Sequence, residues 1–174
     1  MKDVYQKAEG DKGILEKIGG IIPGFGGYLN KERRRDSDKI QREFLAKALE
    51  ENKAFIDELV RDSSSEPGMF QILDDLDRLK KKIDKTASKI RYASYGYSGF
   101  FDAVKVGEQE LAQLHQFDLE MDNAIEEVGR VLKTLSAGSG DAAAMKQSAK
   151  TCARALDDLD RRFSDREAII KGVK

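Results

Sequence analysis

Apolar residues recur along this chain in steps of three and four, the spacing that keeps side chains on one face of an α-helix. From about Asn30 to Asp62 that face carries Ile40, Phe44, Leu45, Ala48, Leu49, Phe55, Ile56 and Leu59. "SSSEPG" (Ser63 to Gly68) then interrupts it with turn formers and a proline. A second stripe starts near Met69 and runs Ile72, Leu76, Leu79, Ile83, Ile90, Ala93, Tyr97. A third runs Phe100, Val104, Gly107, Leu111, Leu114, Asp118, Met121, Ile125, Val128, Leu132, Leu135. After "SAGSG", with Asp141 as an N-cap, the last carries Met145, Ala149, Cys152, Leu156, Leu159 and Phe163. No stretch alternates as a strand would. The pattern predicts an all-α protein, a four-helix bundle or long antiparallel coiled-coil hairpins. It divides the chain into a Gly-rich, irregular N-terminal arm (1–29) and one helical domain (30–174).

The arm ends in "GGIIPGFGGYLNKERRRD" (Gly19 to Asp36), with five glycines and a proline among large apolar residues. It lacks the preceding strand and the lysine of a phosphate loop. Two readings remain. Ile21, Ile22, Phe25 and Tyr28 fold over a bundle end, or residues 14–35 lie on a membrane surface with Arg33, Arg34 and Arg35 facing anionic lipid. The glycines and Pro23 weaken the helix that the second reading needs, which favours the first.

Charge adds to this picture. Charged residues make up 36% of 174 residues, yet the formal net charge is −1, which argues against nucleic acid as a partner. From Lys31 to Arg42 there are six basic and three acidic residues, and from Glu43 to Asp62 the numbers reverse. That order opposes the helix macrodipole, so the arginines are read as placed for a neighbour. Arg78 to Arg91 holds seven basic residues and one acidic, while Asp102 to Glu127 holds eight acidic and one basic. Folding the chain back at "YGYSG" would bring Lys85 near Glu110 and Lys89 near Glu108, with Gly96 and Gly99 as the hinge. A straight helix through Tyr97 would instead make those contacts in trans, in a swapped homodimer. Tyr92, Tyr95, Tyr97, Phe100 and Phe101 form the densest aromatic patch, either a recognition surface or a packed corner.

Candidate chemistry is sparse. The lone His115 has Ala112 three residues before it, so a di-iron Glu-x-x-His pair is missing. No Cys/His set has zinc spacing. Cys152, the single cysteine, sits at core spacing among alanines and is read as a buried small residue. "LDDLDR", at 73–78 and again at 156–161, is read as reused heptad composition with solvated aspartates. Asp118, alone among apolar seam residues, is read as a structural ion pair; in a hairpin about "SAGSG" it falls level with Leu159, one turn from Arg162.

The runs "IPGFGGYLNKERRRDSDK", "YGYSGFFDAVKV" and "HQFDLEMD" resemble a family of small helical prokaryotic proteins of uncharacterised function. The resemblance spans Ile22 to Asp122, brings no activity, and implies a cytoplasmic setting. With no signal-peptide core and no transmembrane stretch, the chain reads as cytoplasmic. The reading is a non-enzymatic helical scaffold or adaptor without cofactor, working through helix–helix contacts with a protein partner, a second copy included. The alternative is a peripheral membrane protein anchored by residues 14–35. Replacing Arg33, Arg34 and Arg35 together by Gln is expected to weaken partner binding far more than it lowers the melting temperature, since exposed charges add little to folding. A large loss of stability would make them an internal ion-pair element instead.

Overall fold

The computed structural model describes residues 13–14, 16–25, 34–64, 70–93, 108–137 and 142–170. These contain five long helices: α1 (Arg34–Glu51), α2 (Lys53–Ser64), α3 (Phe70–Tyr92), α4 (Glu108–Ala137) and α5 (Ala142–Ile170). The described residues contain no strand, and the protein is an all-α bundle.

The segment expected to run unbroken from Asn30 to Asp62 breaks at Asn52. Its amide bonds Leu49 O at 3.3 Å, a tightened turn, and its side-chain Nδ2 bonds Ala48 O at 3.4 Å. Asn has poor helix propensity because its side chain competes for backbone groups in this way. Together α1 and α2 form one bent corner of the bundle. On α4, Gly129 faces the bend: a Cβ there would lie 2.8 Å from Asn52 Oδ1. Glycine at 129 thus lets α4 pass close to the kink.

Ion pairs fix the helix directions. Lys53–Asp84 (2.6 Å) and Lys80–Asp57 (2.5 Å) set α2 antiparallel to α3. Lys82–Asp157 (2.6 Å) and Lys89–Asp160 (3.0 Å) set α3 parallel to α5. Glu120–Arg162 (3.0 Å) and Asp118–Arg166 (2.7 Å) set α4 antiparallel to α5. The bent α1–α2 corner packs on α3, α3 on α5, α5 on α4, and α4 closes the ring against α1–α2. Consecutive helices α3 and α4 therefore occupy diagonal corners. Helices α3 and α4 run in opposite directions, so Met69 to Leu135 is not one straight helix. Lys89, expected near Glu108, pairs with Asp160 and Ser164 of α5, and the side chains of Glu108 and Glu110 lie outside the described residues. The aspartates of the second "LDDLDR" supply two of these contacts, and those of the first lie at least partly in solvent. Gly96 and Gly99, the expected hinge, lie outside the described residues.

The seams read from the sequence form the core. Leu114, Met121, Ile125, Val128, Leu132 and Leu135 of α4 are buried, as are Met145, Ala149, Cys152, Leu156, Leu159 and Phe163 of α5. Each such aliphatic or aromatic side chain contributes about 1.5–3 kcal/mol on burial.

The arm departs from its irregular reading. Residues 16–21 are helical. Gly24, at φ +82°, lets the chain turn so that Phe25 returns to the bundle. Ile18, Ile22 and Phe25 pack with Leu114, against Ile40 and Phe44 of α1 and Leu119 of α4. Ile22 and Phe25 are buried as the bundle-cover reading requires, but Ile21 stays 39% exposed. The reason is helical spacing: with Ile18 and Ile22 turned inward, Ile21 falls on the next face. Tyr28 lies outside the described residues.

Gly129→Ala raises helix propensity by about 1 kcal/mol but drives a methyl into Asn52. We expect it to be more favourable by about 1 kcal/mol in an Asn52→Ala background than in the wild type, read from urea unfolding of the double-mutant cycle. Additive effects would mean that the contact does not set the interhelical approach.

Candidate functional site

Most of the buried polar residues lie at two places, a charged knot at one pole and a groove that starts beside it. The knot lies where α1 and α4 begin and α3 and α5 end. Arg166 of α5, with no solvent exposure, donates from Nε to Asp118 Oδ1 of α4 at 2.7 Å and from Nη2 to Asp38 Oδ1 of α1 at 2.8 Å. The other oxygen of Asp38 accepts from Arg42 Nε at 2.8 Å. Arg42 Nη1 reaches α3 and donates to Arg91 O at 2.5 Å and Ile90 O at 3.5 Å, satisfying carbonyls that a helix end leaves open. Two carboxylates and two guanidiniums thus balance in charge and tie four helices together. Nearby, Arg91 forks onto Glu50 with two 2.7 Å bonds, and these hold the Glu50 carboxyl below its usual range.

The ion-pair reading of Asp118 holds, with a different partner. Arg166 lies one turn beyond Arg162, and Arg162 takes Glu120 instead. Side chains lean toward the N-terminus of their helix, so the longer reach is open to an arginine.

The knot offers little chemistry. His115 is buried with its ring edge-on to Phe25, centroids 6.3 Å apart. Burial pushes the Cys152 thiol up to about 12, so it stays protonated and a poor nucleophile. Among the described residues no group of three His, Cys, Asp or Glu side chains could hold a metal ion. No helix among them is long and apolar enough to cross a membrane.

The second place is a groove of about 550 Å³ between α1–α2 and α4. Phe44, Ala48, Phe55, Ile125 and Gly129 form its apolar floor, and Ile21 of the arm stands at one end. It opens because α4 packs far less on α1–α2 than on α5. Its rim is charged in sequence along its length. Asp122 and Glu126 lie toward the knot, Glu51 in the middle, and Arg130 and Lys133 toward the far end, with Lys133 over the Phe55 ring at 5.5 Å. Asp122 is only 7% exposed and makes no hydrogen bond or ion pair among the described residues. Burial, with the Glu126 charge adding to it, raises its pKa. On the same stripe of α1 as Phe44 and Ala48, Gln41 is fully buried, and neither polar atom of its side chain has a partner among the described residues.

Of the side chains singled out in the sequence, Ile22 and Phe25 meet the bundle, Ile21 borders the groove, and Tyr92 is 62% exposed at the end of α3. Arg34 and Arg35 open α1; their side chains, and all of Arg33, Tyr95, Tyr97, Phe100 and Phe101, lie outside the described residues. Asp38, Arg42, Asp122 and Arg166 were missed. A signal for two of them existed. Arg166 continues the α5 seam three residues after Phe163, and Arg42 continues the α1 seam three before Leu45. Comparison with protein-family models, curated proteins and solved structures finds no match to this chain.

Because its folded-state pKa is raised, the Asp122 carboxylate works against folding at neutral pH, and that penalty fades as pH falls toward the ordinary carboxylate range near 4. Asp122→Asn is therefore expected to be more stable than the wild type at pH 7, with the difference shrinking toward pH 4 in urea titrations. A variant less stable at pH 7 would point to a cationic partner for Asp122 within the chain.

Proposed function

We propose that the protein is a non-enzymatic helical adaptor that seats a helix of a partner protein in the groove between α1–α2 and α4. The groove carries this reading: its floor is apolar, its rim is charged, and about three helical turns separate Phe44 from Phe55. Amphipathic helices are recognised in such grooves by side chains spaced three and four apart. The bundle already holds one apolar segment on this face, since Ile18 on the arm helix and Ile22 and Phe25 just beyond it pack against α1 and α4. The same contact counts against the membrane alternative, because those apolar side chains are committed to the bundle rather than available to lipid.

A photo-crosslinking residue in place of Glu126, on the groove rim, is expected to capture a protein in cells. One in place of Arg154, exposed on α5, is not. Phe25→Ala should lower the melting temperature and leave liposome co-sedimentation at background. Equal capture from both positions, or liposome binding that Phe25→Ala abolishes, would contradict the adaptor reading.

A further inference from the structure

The groove's charges select among the helices that could enter it. Resting on the adaptor reading, we infer that the partner is an amphipathic helix running antiparallel to α4, with a Lys or Arg near its C-terminus that pairs with Asp122.

Asp122 makes the strongest demand. The residue is only 7% exposed and lines the groove, its carboxylate keeps its remaining access to solvent there, and it has no partner among the described residues. Surface carboxylates on these helices find cations readily: Asp57, Asp84, Asp157 and Asp160 each take a lysine from a neighbouring helix. A buried carboxylate left alone costs free energy that an incoming ammonium or guanidinium would offset. Glu126, one turn along α4, adds negative charge on the same side.

At the other end Arg130 and Lys133 present positive charge to the same occupant. Arg130 also pairs with Glu127 on its own helix, but Arg130 is largely exposed and Glu127 half-exposed, so the pair exchanges partners at little cost. An occupant must therefore be basic toward the knot and acidic toward the far end. A helix meets that requirement in its own preferred state when acidic residues open it and basic residues close it. This places its N-terminus at Arg130 and Lys133 and its C-terminus at Asp122. Because α1–α2 runs parallel to α4, that direction is antiparallel to both walls, so the helix dipoles also oppose. The arm shows that apolar side chains seat here, since Ile18, Ile22 and Phe25 pack with Phe44 beside the groove's end.

The probe is a fluorescent, stapled helical peptide of about four turns. It carries leucines at i, i+4 and i+7, Glu in its first turn and Lys in its last. Controls replace the Lys by norleucine or exchange the two charged ends. With the full-length chain, fluorescence anisotropy should show Asp122→Asn weakening the Lys peptide about tenfold while hardly changing the norleucine peptide. The charge-exchanged peptide should bind more weakly than the original. If Asp122→Asn binds the Lys peptide as tightly as the wild type does, or the exchanged peptide binds best, the inference is overturned. In that event, NMR shift changes at Ala48, Phe55, Ile125 and Gly129 would leave the groove itself standing as a docking site. Failure of every peptide to bind would overturn both the inference and the groove.

Discussion

Arg166 joins helices that are not neighbours in the ring through directional, charge-bearing contacts. Its guanidinium holds Asp118 on the adjacent α4 and Asp38 on the diagonal α1, and Asp38 passes the connection through Arg42 to the end of α3. Desolvating such a set costs several kcal/mol per ion, and hydrophobic replacements of similar shape often fold as well or better. Its effect is therefore on arrangement more than on net stability. A seam of leucines and isoleucines tolerates sliding by a turn, whereas a buried carboxylate facing the wrong side chain does not.

The topology explains why the knot sits where it does. Helices α3 and α4 are consecutive in sequence yet occupy opposite corners, and the end of α3 and the start of α4 at the knotted pole are the ones tied through Arg42 and Asp118. The arm packs at the same pole, through Phe25 on His115 and Ile22 on the α1–α4 face. Toward the other pole, Asn52 bends the α1–α2 corner and the groove opens. Rigid attachment at one end and an incompletely filled interface farther along follow from the same polar residues.

Most of the fold was legible because heptad spacing is a local signal. The α4 and α5 seams in the sequence are the seams in the structure, and Asp118 was read correctly as an ion pair. The seam of the first segment was read only at its apolar members. With polar members restored it runs Asp38, Arg42, Leu45, Leu49, Asn52, Ile56, Leu59, Ser63, still in steps of four and three, and all are buried. Treating polarity as a sign of exposure hid half the knot. The pairing of α3 with α5 was hidden for a different reason: charge composition says that a basic stretch needs an acidic neighbour but not which one, and α5 was as eligible as α4. The groove was not legible at all. It depends on how far α4 stands from the bend at Asn52, a distance that no periodicity encodes.

The bundle's arrangement depends on the buried guanidinium of Arg166, and urea unfolding of Arg166→Met tests that dependence most directly. Methionine keeps most of the apolar stem and removes the guanidinium that holds Asp118 and Asp38. The expected loss is about 3–5 kcal/mol, the range for breaking a buried pair from one side. A loss below about 1 kcal/mol would contradict it, because the two carboxylates would then be shown to reach water or another cation and the four helices to be held by their apolar seams alone.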